Sequence, residues 1–105
     1  MVLKYDAKIQ DSAIHNNLRK ITNQIYKLLP EREEGADWQT PLTTIMEELA
    51  GMDSLLIDQH DTLFPLLCKL EGLLTLEDKE DFFLYRRTIF ECLGLVNSLM
   101  TKWAV

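Results

Sequence analysis

Apolar residues recur every three or four positions along most of this 105-residue chain. Steps of three and four residues bracket the 3.6-residue turn of an α-helix, so side chains with this spacing share one helical face. Alternation with a period of two, which is typical of a half-buried strand, is absent. The pattern therefore predicts an all-α protein.

The longest apolar stripe lies in the C-terminal stretch 75–105. Its members are Phe82, Tyr85, Ile89, Cys92, Val96, Leu99 and Trp103. Thr75 followed by Asp78 resembles a capping box, and the acidic residues after it suit the positive end of a helix dipole. We therefore place the start of the last helix near residues 75–77 and expect the other helices to cover its stripe.

The first helix is predicted over residues 4–29, with a stripe formed by Ile14, Leu18, Ile21, Ile25 and Leu28. Pro30 should end it, because the residue before a proline is pushed away from helical geometry. The acidic stretch 30–41, with proline at both borders and Gly35 inside, predicts a solvated linker. Thr40 and then Pro41 resemble the cap and first turn of the second helix.

The middle segment 41–74 carries one continuous stripe. Its members are Leu42, Ile45, Leu49, Met52 and Leu56, and the same phase continues through the polar Gln59 to Leu63, Leu66, Leu70 and Leu73. Pro65 cannot donate a backbone hydrogen bond and Asp61 can cap a new helix, so we predict a kink or a break between residues 59 and 65. The whole chain, 1–105, is thus expected to form one antiparallel bundle of three long helices, or four if the middle one breaks near Pro65.

Charge and targeting signals narrow the functional classes. The net charge is −6, and residues 31–81 hold fourteen acidic residues against three basic ones. This acidity argues against direct nucleic-acid binding. The N-terminal residues lack the apolar run of a secretory signal, and no apolar segment approaches the ~20 residues that span a bilayer. We expect a cytoplasmic protein without membrane contact, whose Cys68 and Cys92 are free thiols.

No stretch of the sequence carries a recognisable catalytic motif. Glycine-rich phosphate loops, metal-binding helix motifs and nucleophile elbows are all absent from it. Asp58, His60 and Asp61 offer the best metal ligands, but neighbouring positions on a helix point around its axis and cannot all face one ion. We therefore expect no enzymatic activity, no metal and no cofactor.

The surplus of apolar residues points instead to protein binding. Phe83 and Phe90 lie on a flank of the last helix, outside its main stripe, where neighbouring helices bury them or another protein covers them. Arg86 and Arg87 beside them would supply polar rim contacts. Trp38 either folds back onto the core or anchors a partner. We predict a non-enzymatic interaction module, acting as an adaptor or regulator, that binds another protein or itself as a homo-oligomer.

An alternative function follows from the acidic residues. A cluster of carboxylates can imitate phosphate groups and occupy the basic nucleic-acid-binding site of a partner protein. The residues assigned to this acidic surface are Glu31, Glu33, Glu34, Asp37, Glu47 and Asp58. Under this alternative the chain is an acidic inhibitor.

Overall fold

The computed structural model describes the backbone of residues 4–103 and the side chains of residues 12–103. These residues form four α-helices and contain no strand, which confirms the all-α prediction. The helices are α1 (Lys4–Glu33), α2 (Gln39–Gly51), α3 (His60–Leu73) and α4 (Phe82–Lys102). Short 3₁₀ turns, Ile57–Gln59 and Lys79–Asp81, precede α3 and α4.

The four helices form an up-down-up-down bundle. Each packs against two others, because α1 and α3 both contact α2 and α4. The end of α1 lies beside the start of α4, where the Tyr85 hydroxyl donates to the Leu28 carbonyl over 3.5 Å. The start of α3 lies at the other end of α4, where the side-chain amide of Gln59 donates to the Leu99 carbonyl over 3.3 Å. The bundle is elongated, with extents of 54 × 24 × 19 Å.

The core follows the predicted stripes closely. Every apolar member of the stripes listed for α1 and for the middle segment is buried, whereas Gln59 is partly exposed. The α4 stripe is also buried except for its two ends, Phe82 and Trp103. No polar or charged side chain is buried within residues 12–103. No helix among the described residues is long and apolar enough to cross a bilayer. The core is thus a continuous apolar seam between four helices.

The prediction that Pro30 ends the first helix is wrong, because α1 continues to Glu33. Gly35, with φ of +76°, ends the helix instead. The Gly35 amide donates to the Arg32 carbonyl and the Ala36 amide donates to the Glu31 carbonyl, at 3.1 and 2.8 Å. These two hydrogen bonds form a Schellman cap. The cap outweighs the loss of the one backbone hydrogen bond that Pro30 cannot donate.

The middle segment breaks, but the predicted position of the break is wrong. The connection between α2 and α3 covers residues 52–59, and Pro65 lies inside α3. Gly51, Asp53 and Ser54 are weak helix formers that favour the turn. Met52 and Leu56 remain in phase with the stripe because both side chains are buried at this end of the core. The stripe therefore continues across a turn that breaks the backbone helix.

Two predicted caps are also wrong. Helix α2 begins at Gln39, and the Asp37 carboxylate, not Thr40, acts as the cap by accepting from the Thr40 amide over 3.1 Å. Thr75 closes α3, since its hydroxyl donates to the Gly72 carbonyl over 2.7 Å. Helix α4 starts at Phe82, several residues later than the sequence predicts.

Candidate protein-binding site

The flank of α4 carries two exposed aromatic rings beside two arginines. We call Phe83, Arg86, Arg87 and Phe90 the α4 flank. Phe83 is 81% exposed and Phe90 is 48% exposed, so the neighbouring helices do not bury them. The buried residues Tyr85 and Ile89 occupy the opposite side of the same helical turns. Of the two positions that the sequence allowed for these rings, the structure has the surface one.

The arginines of the α4 flank are available for contacts outside the chain. The Arg86 guanidinium lies 5.7 Å from the centre of the Phe90 ring, within the range of a cation–π interaction. Neither Arg86 nor Arg87 takes part in an ion pair within residues 12–103. The flank thus presents apolar rings and positive charge together, a combination typical of protein interfaces.

Trp38 lies in the core and not on a surface. It is 6% exposed and packs edge-to-face on Tyr85, with 5.1 Å between ring centres. Of the two positions weighed for this side chain, the structure has the one in which it covers the end of the core. Trp38 therefore does not extend the α4 flank.

Arg32 organises the same end of the bundle, and sequence reasoning missed it. Its guanidinium lies 4.3 Å from the Tyr85 ring centre and 5.5 Å from that of Trp38. It also donates to the backbone carbonyls of Leu76 and Asp78, the latter over 2.7 Å. A planar cation can stack on aromatic rings and bind carbonyl groups at its edge simultaneously. The only signal in the sequence is a single arginine within an acidic segment.

The acidic residues assigned to an inhibitor surface lie at separate places. Glu33, Glu34 and Asp37 are exposed at the end of the bundle where α1 meets α2. Asp58 lies at the opposite end, 3.5 Å from the Lys102 ammonium at the end of α4. Mimicry of a phosphate backbone needs these carboxylates on one face.

Residues that could support chemistry do not converge among the side chains described in residues 12–103. The His60 Nδ1 atom and the Asp53 Oδ1 atom lie 3.6 Å apart. However, no three His, Cys, Asp or Glu side chains in the described part of the chain are grouped to hold a metal ion. Burial raises the pKa of the Cys92 thiol to about 12. A nucleophilic cysteine needs a lowered pKa and access to solvent, and buried Cys92 has neither.

A second apolar surface lies between α2 and α3. This α2–α3 groove has a volume of about 440 Å³. Phe64, which is 58% exposed, and the exposed Cys68 line it together with the partly buried Leu67. Glu47 and Glu71 stand on its two sides, one from each helix. This groove is hard to predict from the sequence, because Phe64 and Leu67 flank a stripe that already fills the core.

Comparison with protein-family models, with curated proteins and with solved structures finds no match to this chain. The α4 flank and the α2–α3 groove are the two surfaces where exposed phenylalanine rings lie beside charged residues.

Proposed function

We propose that the protein is a non-enzymatic interaction module that binds another protein through the α4 flank. The observation that supports this proposal is the exposure of Phe83 and Phe90 beside two arginines that form no ion pair with the side chains described in residues 12–103. Burying a phenylalanine side chain contributes roughly 1.5–3 kcal/mol relative to leaving it in water. Two rings on one flank therefore offer a partner a substantial part of a binding energy.

The fold does not require aromatic side chains at these positions. The packing of α4 against α1 and α3 uses the opposite stripe, which includes Tyr85, Ile89 and Val96. Phe83 and Phe90 lie about two helical turns apart along the axis, a spacing that suits anchors for neighbouring pockets. Their role is therefore better explained by recognition than by stability.

The charge of the flank favours a different protein over a symmetric pair of identical copies. A two-fold contact between α4 flanks would bring Arg86 and Arg87 of both copies together, and close like charges at an interface cost several kcal/mol. We expect a partner with an apolar pocket surrounded by carboxylates. Arginine pairs with carboxylates through two parallel hydrogen bonds, which would orient that partner.

The test combines Phe83→Ala with Phe90→Ala. A partner is first isolated from the native host with the wild-type protein, and its affinity for each variant is then measured by calorimetry. The double variant should bind at least about tenfold more weakly, since truncating a buried anchor typically costs about 2 kcal/mol. Circular dichroism should show unchanged helicity, because both rings are exposed.

Ile57→Ala is the matched control, because it removes a large apolar side chain that is 71% exposed, in the turn before α3, away from both the α4 flank and the α2–α3 groove. Its affinity for the same partner should remain at the wild-type value. Wild-type affinity in the Phe83→Ala/Phe90→Ala variant would exclude the α4 flank as the binding surface. A loss of helicity in that variant would mean that the rings support the fold, and the proposal would then be abandoned.

A further inference from the structure

We propose that the α2–α3 groove binds a basic amphipathic α-helix of another protein. This groove is a second docking surface, and it is separate from the α4 flank. It combines an apolar lining, one glutamate from each of its two helices and a shape set by those adjacent helices. Each of these features restricts the chemistry of the occupant.

The lining calls for an apolar occupant. Phe64, Leu67 and Met46 contribute to an open groove of about 440 Å³. Phe64 keeps more than half of its surface exposed, although the adjacent stripe residue Leu63 is fully buried. A groove of this volume has room for two or three large aliphatic or aromatic side chains, which is how helix-binding grooves take their anchors.

The rim calls for positive charge. Residues 39–76, which include all of α2 and α3, hold six acidic residues and a single lysine or arginine, Lys69. The Lys69 ammonium is already paired with Glu91 of α4 over 3.1 Å, so it does not offset the acids of the groove. Glu47 on α2 and Glu71 on α3 line the groove from its two sides, and neither is in an ion pair within residues 12–103. Complementary charges of this kind select the partner and speed its association.

The dimensions favour a helix as the occupant. Helices α2 and α3 have 13 and 14 residues, so each is about 20 Å long. A partner helix of about 14 residues would match this length and place apolar residues on one face and basic residues along both edges. The occupant is thus a short cationic amphipathic helix with large apolar anchors.

The test uses two synthetic peptides of about 14 residues with the same leucine stripe. One peptide carries lysine at all polar positions and the other carries glutamate. The readout is alkylation of Cys68 by iodoacetamide, followed by mass spectrometry, because Cys68 is exposed in the groove and Cys92 is buried. The lysine peptide should slow the alkylation of Cys68 at least about tenfold at saturation, and the glutamate peptide should leave the rate unchanged.

The charge requirement is tested by Glu47→Lys combined with Glu71→Lys. This variant should bind the lysine peptide about tenfold more weakly, because two attractive contacts become repulsive. Glu33→Lys combined with Glu34→Lys is the matched control, since it makes the same change of net charge at exposed positions at the end of α1. The control should keep the wild-type affinity to within about twofold.

Three results would overturn the proposal. One is an absence of Cys68 protection by the lysine peptide at concentrations up to about 1 mM. Another is an equal loss of affinity in the control, which would show only general attraction to an acidic protein. The third is protection that grows with protein concentration alone and disappears in Phe83→Ala/Phe90→Ala, which would identify a second copy as the occupant. The groove variants leave the α4 flank intact, so a failure here does not bear on the proposed function.

Discussion

At the scale of single residues, Arg32 links the end of α1 to the connection before α4. Its guanidinium stacks on Tyr85 and binds the carbonyls of Leu76 and Asp78, in the connection before α4. Backbone carbonyls beyond the end of a helix need partners, and here the partner comes from α1. The late start of α4 is consistent with this contact.

Replacing Arg32 with alanine should destabilise the protein by about 2 kcal/mol, because charge-assisted hydrogen bonds and cation–π contacts are lost together. Urea denaturation followed by circular dichroism measures the change in the free energy of unfolding. Arg19→Ala, at an exposed position of α1, is the control and should change that free energy by less than about 0.5 kcal/mol. Equal effects of the two substitutions would show that the Arg32 contacts contribute nothing.

At the scale of helices, faces could be predicted from the sequence but ends could not. The spacing of Ile14 through Leu28, and of the other stripes, identified the buried faces because burial follows helical periodicity. The ends depend on individual caps, such as Gly35 at φ +76° and the Asp37 carboxylate. Several side chains near each terminus can act as caps. A plausible N-cap such as Thr75 can therefore remain unused, and the helix then begins further along the chain, as α4 does.

Helix α4 contains a glycine that its position does not require. Gly94 is exposed, and a Cβ added there would meet no atom within 4 Å. Gly94→Ala should therefore stabilise the protein by about 0.5–1 kcal/mol, since alanine loses less backbone entropy in a helix. Thermal unfolding by calorimetry checks this as a rise in Tm. An unchanged or lower Tm would mean that Gly94 serves a contact that the monomer does not show.

At the scale of the whole molecule, stability should fall at alkaline pH because two core groups resist ionisation. Burial raises the pKa of Tyr85 from 10.0 to about 12, and it raises that of Cys92 from 9.0 to about 12. Between pH 10 and about 12 for Tyr85, and between pH 9 and about 12 for Cys92, the native state keeps a proton that the unfolded chain has released. The free energy of unfolding should therefore be fully retained below about pH 9 and should fall toward pH 12, by up to about 1.4 kcal/mol per pH unit for each group.

Tyr85→Phe separates one of these contributions. The variant should lose less stability than the wild type between about pH 10 and pH 12. At neutral pH its free energy of unfolding should differ little from that of the wild type, because the hydrogen bond from the Tyr85 hydroxyl to the Leu28 carbonyl is long. Urea titrations at several pH values measure both effects. Tyr26→Phe, at a half-exposed ring of α1, is the control and should follow the wild-type pH dependence. Parallel curves for all three proteins would contradict this explanation of alkaline unfolding.

The candidate sites were predictable only in part, because a surface is whatever the packing leaves uncovered. The sequence identified Phe83 and Phe90 as lying outside the main stripe, but the directions from which α1 and α3 approach α4 decide their exposure. The α2–α3 groove depends on the turn at residues 52–59, which the sequence placed too late. To predict a surface formed by two helices, the position of one helix relative to the other must be known. The periodicity of apolar residues along the sequence does not contain this information.

The order of the helices has a consequence for how the chain folds. Three of the four helix pairs in contact, α1–α2, α2–α3 and α3–α4, are consecutive in sequence and joined by short connections. Proteins dominated by such local contacts have a low contact order and fold in microseconds to milliseconds. The docking of α1 against α4 brings distant parts of the chain together, so we expect its loop-closure entropy to contribute most to the kinetic barrier.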